Sequence, residues 1–217
     1  MKKSFLGKVW YFIWEDDSLL SWLVNIVLAF VLIKFIVYPG LGFLLGTTHP
    51  VVAVVSGSME HSLTAGRVCG EYPSQYIGNL DGWWGLCGDF YDPFSISKED
   101  FIYYPFKNGF NKGDIIVLTG AEPEDINKGD VIVFMGRKPD PIIHRVIKKW
   151  QEDDGYHFTT KGDHNPGLVT DDVNIPENAV IGRALFRIPW LGYIKIWFVD
   201  ILNFVGLPQL VRVFSAK

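Results

Sequence analysis

Asn127-Lys128-Gly129-Asp130-Val131-Ile132-Val133-Phe134 decides the fold class: a Gly-Asp pair closes a tight turn, and the chain leaves it as a run of β-branched and aromatic residues. The same pattern stands sixteen residues earlier as Asn111-Lys112-Gly113-Asp114-Ile115-Ile116-Val117-Leu118. Two copies are too few for a stacked solenoid, where three or more repeats bury a common core, so they read as paired turn-strand units. Working outward, strands are expected at Val51–Val55, Asp114–Leu118, Asp130–Phe134, Ile142–Ile147, His157–Thr160 and Ala179–Phe186. Each is rich in Val, Ile or aromatics and bounded by Gly, Pro, Asn or Asp. No long helical period runs between them. The expected fold class is mainly β, an antiparallel domain within residues 39–190.

Towards the N-terminus the texture changes. From Ser18 to Met59 the only charged residue is Lys34, and the 21 residues Ser18–Tyr38 are enough, as a helix, to cross about 30 Å of hydrocarbon. A cleaved signal peptide would have an apolar core of only ~7–15 residues followed by a small-residue cleavage site, so a retained transmembrane helix over 18–38 is expected. Lys2, Lys3 and Lys8 precede it. By the positive-inside bias they place residues 1–17 in the cytoplasm and everything after the helix outside. Residues 191–217 are apolar again, but Lys195, Asp200, Pro208 and Arg212 interrupt them. An amphipathic helix lying in the membrane interface is favoured there over a second span.

Twenty basic against 24 acidic side chains give a net charge of −4, which removes the electrostatic case for nucleic acid. Histidines are scattered, no His-x-x-x-His or Cys-x-x-Cys spacing exists, and no glycine-rich phosphate loop is present, so neither a metal nor a cofactor is expected. An insertion at about 66–110 stands apart, with twelve aromatics from Tyr72 to Phe110 and Trp83-Trp84 between the only two cysteines, Cys69 and Cys87. Outside the cytoplasm these thiols would pair as a disulfide; inside it they would be two reduced buried thiols.

Chemistry has two foci. In Val54-Val55-Ser56-Gly57-Ser58-Met59-Glu60 an apolar strand delivers two serines, and a serine needs a base before it becomes a nucleophile. Of five histidines only His144 lies in a strongly apolar run, Pro141-Ile142-Ile143-His144-Arg145-Val146-Ile147. A strand histidine is more often structural than catalytic. A catalyst here would need a carboxylate to fix one imidazole tautomer, leaving the other nitrogen for the serine proton. Candidates are Asp163, in Lys161-Gly162-Asp163-His164-Asn165-Pro166, and the pair Asp171-Asp172.

Taken in order, Pro50–Met59, Pro141–Ile147, Thr160–Asp163 and Ala179–Pro189 resemble the motifs of the type I signal peptidases, in their archaeal and endoplasmic-reticulum branch. The resemblance runs from about Leu44 to Lys195. It implies a membrane-anchored serine endopeptidase that removes signal peptides from exported proteins. Ser58 would be nucleophile and His144 general base, with Asp163 supporting the pair. The backbone N–H of Ser58 and the Ser56 hydroxyl would hold the oxyanion. A second acidic residue would be Asp171 or Asp172, with Asp171 favoured because it ends the turn Gly167–Thr170. Substrate would pair along the edges carrying Val54, Val55, Ile142 and Ile143, presenting small side chains to shallow apolar pockets. Implied partners are signal peptides, the lipid bilayer and the translocation machinery, in an archaeal-type cell membrane rather than the endoplasmic reticulum. Two departures stand out. His61 occupies a place where the family has Pro, and Val169 stands where its second acidic residue is expected. They keep open His61 as the base and a non-catalytic subunit on the same fold; a Ser-Lys protease is a further rival, since Lys148 and Lys149 follow closely, although the apolar position of His144 counts against it. The cysteine-containing insertion matches no family motif, so reduction is expected to spare much of the cleavage of a short peptide.

Overall fold

The computed structural model describes residues 4–61, 67–72, 79–137, 139–204 and 206. The chain divides into two compact units, residues 1–44 and 45–217.

The first unit is helical. α1 (Phe5–Trp14) and α2 (Leu19–Leu32) begin at Ser4 and Ser18, whose hydroxyls accept the N–H of Gly7 and Ser21 at 3.2 Å each. The last carbonyls of a helix lack intrahelical partners. Here Ser21 Oγ donates to Phe12 C=O at 2.5 Å and Asn25 Nδ2 to Ile13 C=O at 2.9 Å, which folds α1 back onto α2. α1 itself was not expected from the sequence. α2 continues through a π-turn at Ile33–Val37 into α3 (Tyr38–Leu45). Pro39 explains the turn: its ring clashes with the carbonyl four residues back and it has no N–H to give. Tyr38 N–H accordingly reaches five residues back to Ile33 C=O. The helical stretch Leu19–Leu45 is 27 residues, with a mean hydropathy of 2.4 over an 18-residue window, long and apolar enough to cross a membrane. It runs past the expected end at Tyr38 because the proline is absorbed rather than terminating the helix.

The second unit is a seven-stranded antiparallel sheet: β1 (Val51–Ala53), β2 (Ile115–Thr119), β3 (Val131–Phe134), β4 (Ile142–Glu152), β5 (Gly155–Lys161), β6 (Ile175–Pro176) and β7 (Val180–Ile188), ordered β1-β2-β7-β3-β4-β5-β6. The expected mainly-β class is therefore what the chain adopts. The two Gly-Asp turns are the same object twice. In each, the aspartate Oδ2 accepts the N–H of the asparagine three residues before it at 2.9 Å, and Gly113 and Gly129 take φ of 89° and 91°. That backbone is open to glycine and strained for other residues. Strands β2 and β3 leave these turns into two core clusters, one around Ile116, Leu118, Val131 and Val133, the other around Ile132, Phe134, Val146 and Phe158.

The insertion forms short helices, α4 (Leu80–Cys87) and α5 (Lys98–Phe101), around a third cluster. Trp83, Tyr91 and Phe101 are buried there with Val68, Cys87 and Ile147 of β4. Cys69 and Cys87 are joined by a disulfide. After β7, α6 (Tyr193–Phe204) exposes Ile194, Trp197, Phe198, Ile201 and Phe204. The rest of the expected 191–217 segment beyond Phe204, Gly206 apart, lies outside the described residues. Among those described, Leu19–Leu45 is the one helix long and apolar enough to span a membrane.

Candidate active site

Ser58 sits in the turn that follows β1. Val54 N–H donates to Asp114 C=O at 2.9 Å, Gly113 N–H returns to Val54 C=O at 2.8 Å, and Phe110 N–H holds Met59 C=O at 3.0 Å, so this segment is laced to the first Gly-Asp turn. Met59 is buried beneath it, Ser58 is half-buried, and Ser56 is exposed with its Oγ 3.3 Å from Ser58 Oγ. One further bond fixes the serine's place: His164 N–H donates to Ser58 C=O at 2.8 Å. The loop after β5 thus carries the nucleophile candidate on its back.

His144 lies in β4, opposite Ile132 of β3, and is 4% exposed. Its Nδ1 is 2.5 Å from Asp172 Oδ1. The same oxygen accepts from Thr160 Oγ1 at 2.7 Å, and Asp172 Oδ2 accepts the Val169 N–H at 2.9 Å. A carboxylate so held keeps the proton on Nδ1 and leaves Nε2 as the free base. Nε2 faces Gly162, where an added Cβ would come within 2.7 Å of it. Ser58 and His144 therefore meet the same short loop, one through His164 and the other through Gly162. No hydrogen bond joins them directly among the described residues; catalytic contacts of this kind often tighten only when substrate binds.

The two candidate second acids have different partners. Asp171 does not reach His144: its Oδ1 pairs with Arg137 Nε at 2.7 Å on the surface. The residue directed inward is Asp172, because the short 3₁₀ turn over Thr170–Asp172 points alternate carboxylates out and in. Asp163 is not the orienter of His144 either. It is fully buried and accepts from Arg145 Nη2 at 2.7 Å, His61 Nε2 at 2.8 Å and Tyr91 Oη at 3.0 Å. Burial pushes its carboxyl up, but the Arg145 charge and the bonds from His61 and Arg145 outweigh that and hold it well below the usual carboxylate range. Arg145 also donates to the carbonyls of Pro105, Phe106 and Gly129, and its guanidinium lies 4.6 Å from the Phe101 ring centre.

His61 belongs to this network and not to the serine. Its ring stacks on Trp83 with centroids 3.9 Å apart. Desolvation lowers its pKa despite the raising effect of Asp163, so the 2.8 Å contact is a neutral N–H donating to a carboxylate rather than an ion pair. Tyr91 is likewise kept protonated, raised well above its ordinary value first by burial and then by Asp163. Lys161 completes the loop's support. Its buried ammonium donates to the carbonyls of Gly162 at 3.0 Å and Asn165 at 2.8 Å and lies 4.8 Å from the Phe90 ring centre. Burial pushes its pKa down to about 8. Arg145, Tyr91, Thr160 and Lys161 were not singled out from the sequence. The one available signal was strand alternation, which turns neighbours His144 and Arg145 to opposite faces, so that each needs its own acid.

The insertion reaches the same loop. Cys69 N–H donates to His164 C=O at 3.0 Å. Cys69 Sγ lies 3.3 Å from Asp163 O, a packing contact because a disulfide sulfur has no hydrogen. The insertion, whose reduction is expected to spare much of the cleavage of a short peptide, is thus bonded to the loop that carries His164. Of the expected substrate contacts, Val54 is 2% exposed within the core and has no surface to offer, whereas Val55 is exposed and Ile142 and Ile143 are half-buried. β1 is a sheet edge. Ile142–His144 pair only with β3, since β5 first joins β4 at Arg145, opposite Lys161.

No protein-family model matches the chain. Curated relatives do. It is 33% identical over 102 residues to a signal peptidase complex catalytic subunit of Homo sapiens, covering 44% of this chain and 53% of that protein. To the corresponding subunit of Schizosaccharomyces pombe it is 28% identical over 183 residues, 80% of each. The chain is similar to the catalytic subunits of signal peptidase complexes. It spans about half the length of the mammalian relatives it matches, where 53% of the human subunit is covered. A third relative, the catalytic subunit of Zygosaccharomyces rouxii, is 24% identical over 119 residues, 47% of this chain and 70% of that one. These relatives and the apolar N-terminal helix fit a membrane protein. They are eukaryotic and lend nothing to the expected archaeal membrane.

Proposed function

We propose that the chain is a membrane-bound serine endopeptidase that removes signal peptides from exported proteins. The observation that carries this is the buried Asp172–His144 pair, whose free Nε2 faces Gly162 of the same short loop in which the His164 N–H holds the Ser58 carbonyl. In acylation, Ser58 Oγ bonds to the scissile carbonyl carbon and its proton passes to His144 Nε2. The C–N bond then breaks as that proton moves to the leaving amine. Asp172 stabilises the imidazolium. The Ser56 hydroxyl, 3.3 Å from Ser58 Oγ, and the Ser58 N–H serve the oxyanion. An extended substrate lies along β1 or the half-free edge of Ile142–His144, against Val55, Ile142 and Ile143.

On this reading residues 1–17 are cytoplasmic, the catalytic β domain is extracytoplasmic, the helix contacts the lipid bilayer, and the translocation machinery delivers the substrate. The test is cleavage of a signal-bearing preprotein by the purified chain in detergent, beside Ser58→Ala. Cleavage after a small residue in the wild type and its loss in the variant support the reading. Equal cleavage by both, or none by either, rejects it.

A further inference from the structure

The loop Lys161–Asn165 is closed entirely by its main chain and one lysine. Asn165 N–H donates to Gly162 C=O at 2.9 Å, and Lys161 Nζ donates to Asn165 C=O at 2.8 Å. The half-buried side chain of Asn165 takes part in none of these bonds and is hydrogen-bonded to no other described residue. Yet it is placed. A Cβ on Gly162 would lie 2.6 Å from Asn165 Nδ2 and 2.7 Å from His144 Nε2, so both nitrogens converge on the small space over Gly162 that the missing side chain leaves open. Ser56, the oxyanion candidate, is bonded to Ser58 and not to the loop. A side-chain donor thus stands beside the base and faces the same space.

Resting on the serine-protease reading above, we propose that Asn165 is a catalytic residue for deacylation, holding the hydrolytic water between its side-chain amide and His144 Nε2. The water accepts one hydrogen bond from Asn165 Nδ2 and donates one to Nε2, which leaves a lone pair for the acyl carbon. As the water oxygen–carbon bond forms, the water proton passes to Nε2. The Ser58 Oγ–carbon bond breaks, and the proton returns to Oγ, releasing a carboxylic acid and free Ser58. Acylation needs no such water, so Asn165 acts on the second half of the cycle only. The glycine at 162 belongs to the same device: any side chain there fills the water's place.

An ester substrate separates the halves. With an N-acetylated Ala-Gln-Ala p-nitrophenyl ester, acylation is fast and deacylation limits turnover, so the wild-type chain in detergent gives a burst of nitrophenolate followed by slower steady release. Asn165→Leu should keep the burst rate and amplitude while the steady rate falls about 10-fold, the loss of one hydrogen bond to a reacting group. Acyl-enzyme should accumulate by intact mass, and hydroxylamine, which supplies its own nucleophile, should restore turnover. Asn165→Asp keeps the shape without the donor, should behave alike, and decides the matter if the leucine variant does not fold. An unchanged steady rate, or a burst slowed as much as the steady rate, overturns the role. Ser58→Ala separates the two layers. If it keeps the burst, the serine reading itself fails; if it loses the burst while the Asn165 variants behave as wild type, only the role of Asn165 fails.

Discussion

Replacing Asp172 and Asp163 by Asn, one at a time, should damage the protein in two different ways. At 172 the amide meets a conflict in either orientation. With its oxygen towards His144 and Thr160, its NH₂ confronts the Val169 N–H; turned over, it offers a hydrogen to Nδ1 and drives the imidazole proton onto Nε2. The second arrangement blocks the base. Loss of the correct tautomer costs about 10⁴ in kcat, roughly 5–6 kcal/mol on the barrier. Fold stability falls by only about 1–3 kcal/mol for one mismatched buried group. At 163 the same substitution leaves a fully buried Arg145 without its counter-charge, which costs about 3–5 kcal/mol. At about 2–4 °C per kcal/mol for a domain of this size, the thermal midpoint should drop by roughly 6–20 °C. Steady-state cleavage of a signal-bearing substrate below both midpoints, with the midpoints themselves, reads both effects. An Asp172→Asn variant within tenfold of wild-type kcat, or an Asp163→Asn variant with an unmoved midpoint and no activity, would refute the division of labour between the two acids.

Two more expectations follow from the geometry. Breaking the Cys69–Cys87 disulfide removes a constraint across a separation of 18 residues, worth about 3 kcal/mol in loop-closure terms, and frees the Cys69 N–H that holds His164. Mild reduction should therefore lower peptide cleavage together with stability; full activity in a chain with two titratable thiols would show that the insertion is dispensable to the loop. Acid should destabilise the β domain in two stages, because the folded pKa values of His61 and Asp163 both lie below their unfolded ones and the unfolded chain binds the extra protons. The His61 contribution is present above the unfolded imidazole value of about 6.5 and is lost as pH falls below it. The Asp163 contribution is present above about 4 and is lost below that. Thermal midpoints of wild type and His61→Phe should converge between pH 7 and pH 5, and a wild-type midpoint flat over that interval counts against a neutral buried His61.

Strands and turns were legible because their signals are local. Gly-Asp followed by β-branched residues forces the same turn at Gly113 and Gly129, and the apolar run around His144 marks a buried strand whatever surrounds it. Ser58 and His144 were legible as types of residue in types of place. The pairing of acids was not. Asp163 is nearer to His144 in sequence than Asp172 is, but β4 turns His144 and Arg145 to opposite faces, and only the return of the chain through Thr170–Asp172 brings a carboxylate to the histidine side. The insertion was opaque for a related reason. Its aromatics show no period, and what orders them is a set of distant partners: His61 for Trp83, Asp163 for Tyr91 and Arg145 for Phe101.

The π-turn at Ile33–Val37 has a consequence for whatever lies beside the long apolar helix. One residue more than the regular count shifts the angular phase by about 100°. Side chains before Ile33 and after Val37 that a straight wheel would stack on one side are thereby turned away from each other. A neighbouring helix that follows the stripe of Leu20, Val24 and Val27 before the turn will meet a different side of the same helix after it. Any pairing seam along Leu19–Leu45 must therefore jog at Lys34, and scanning substitutions there should fall into two registers rather than one.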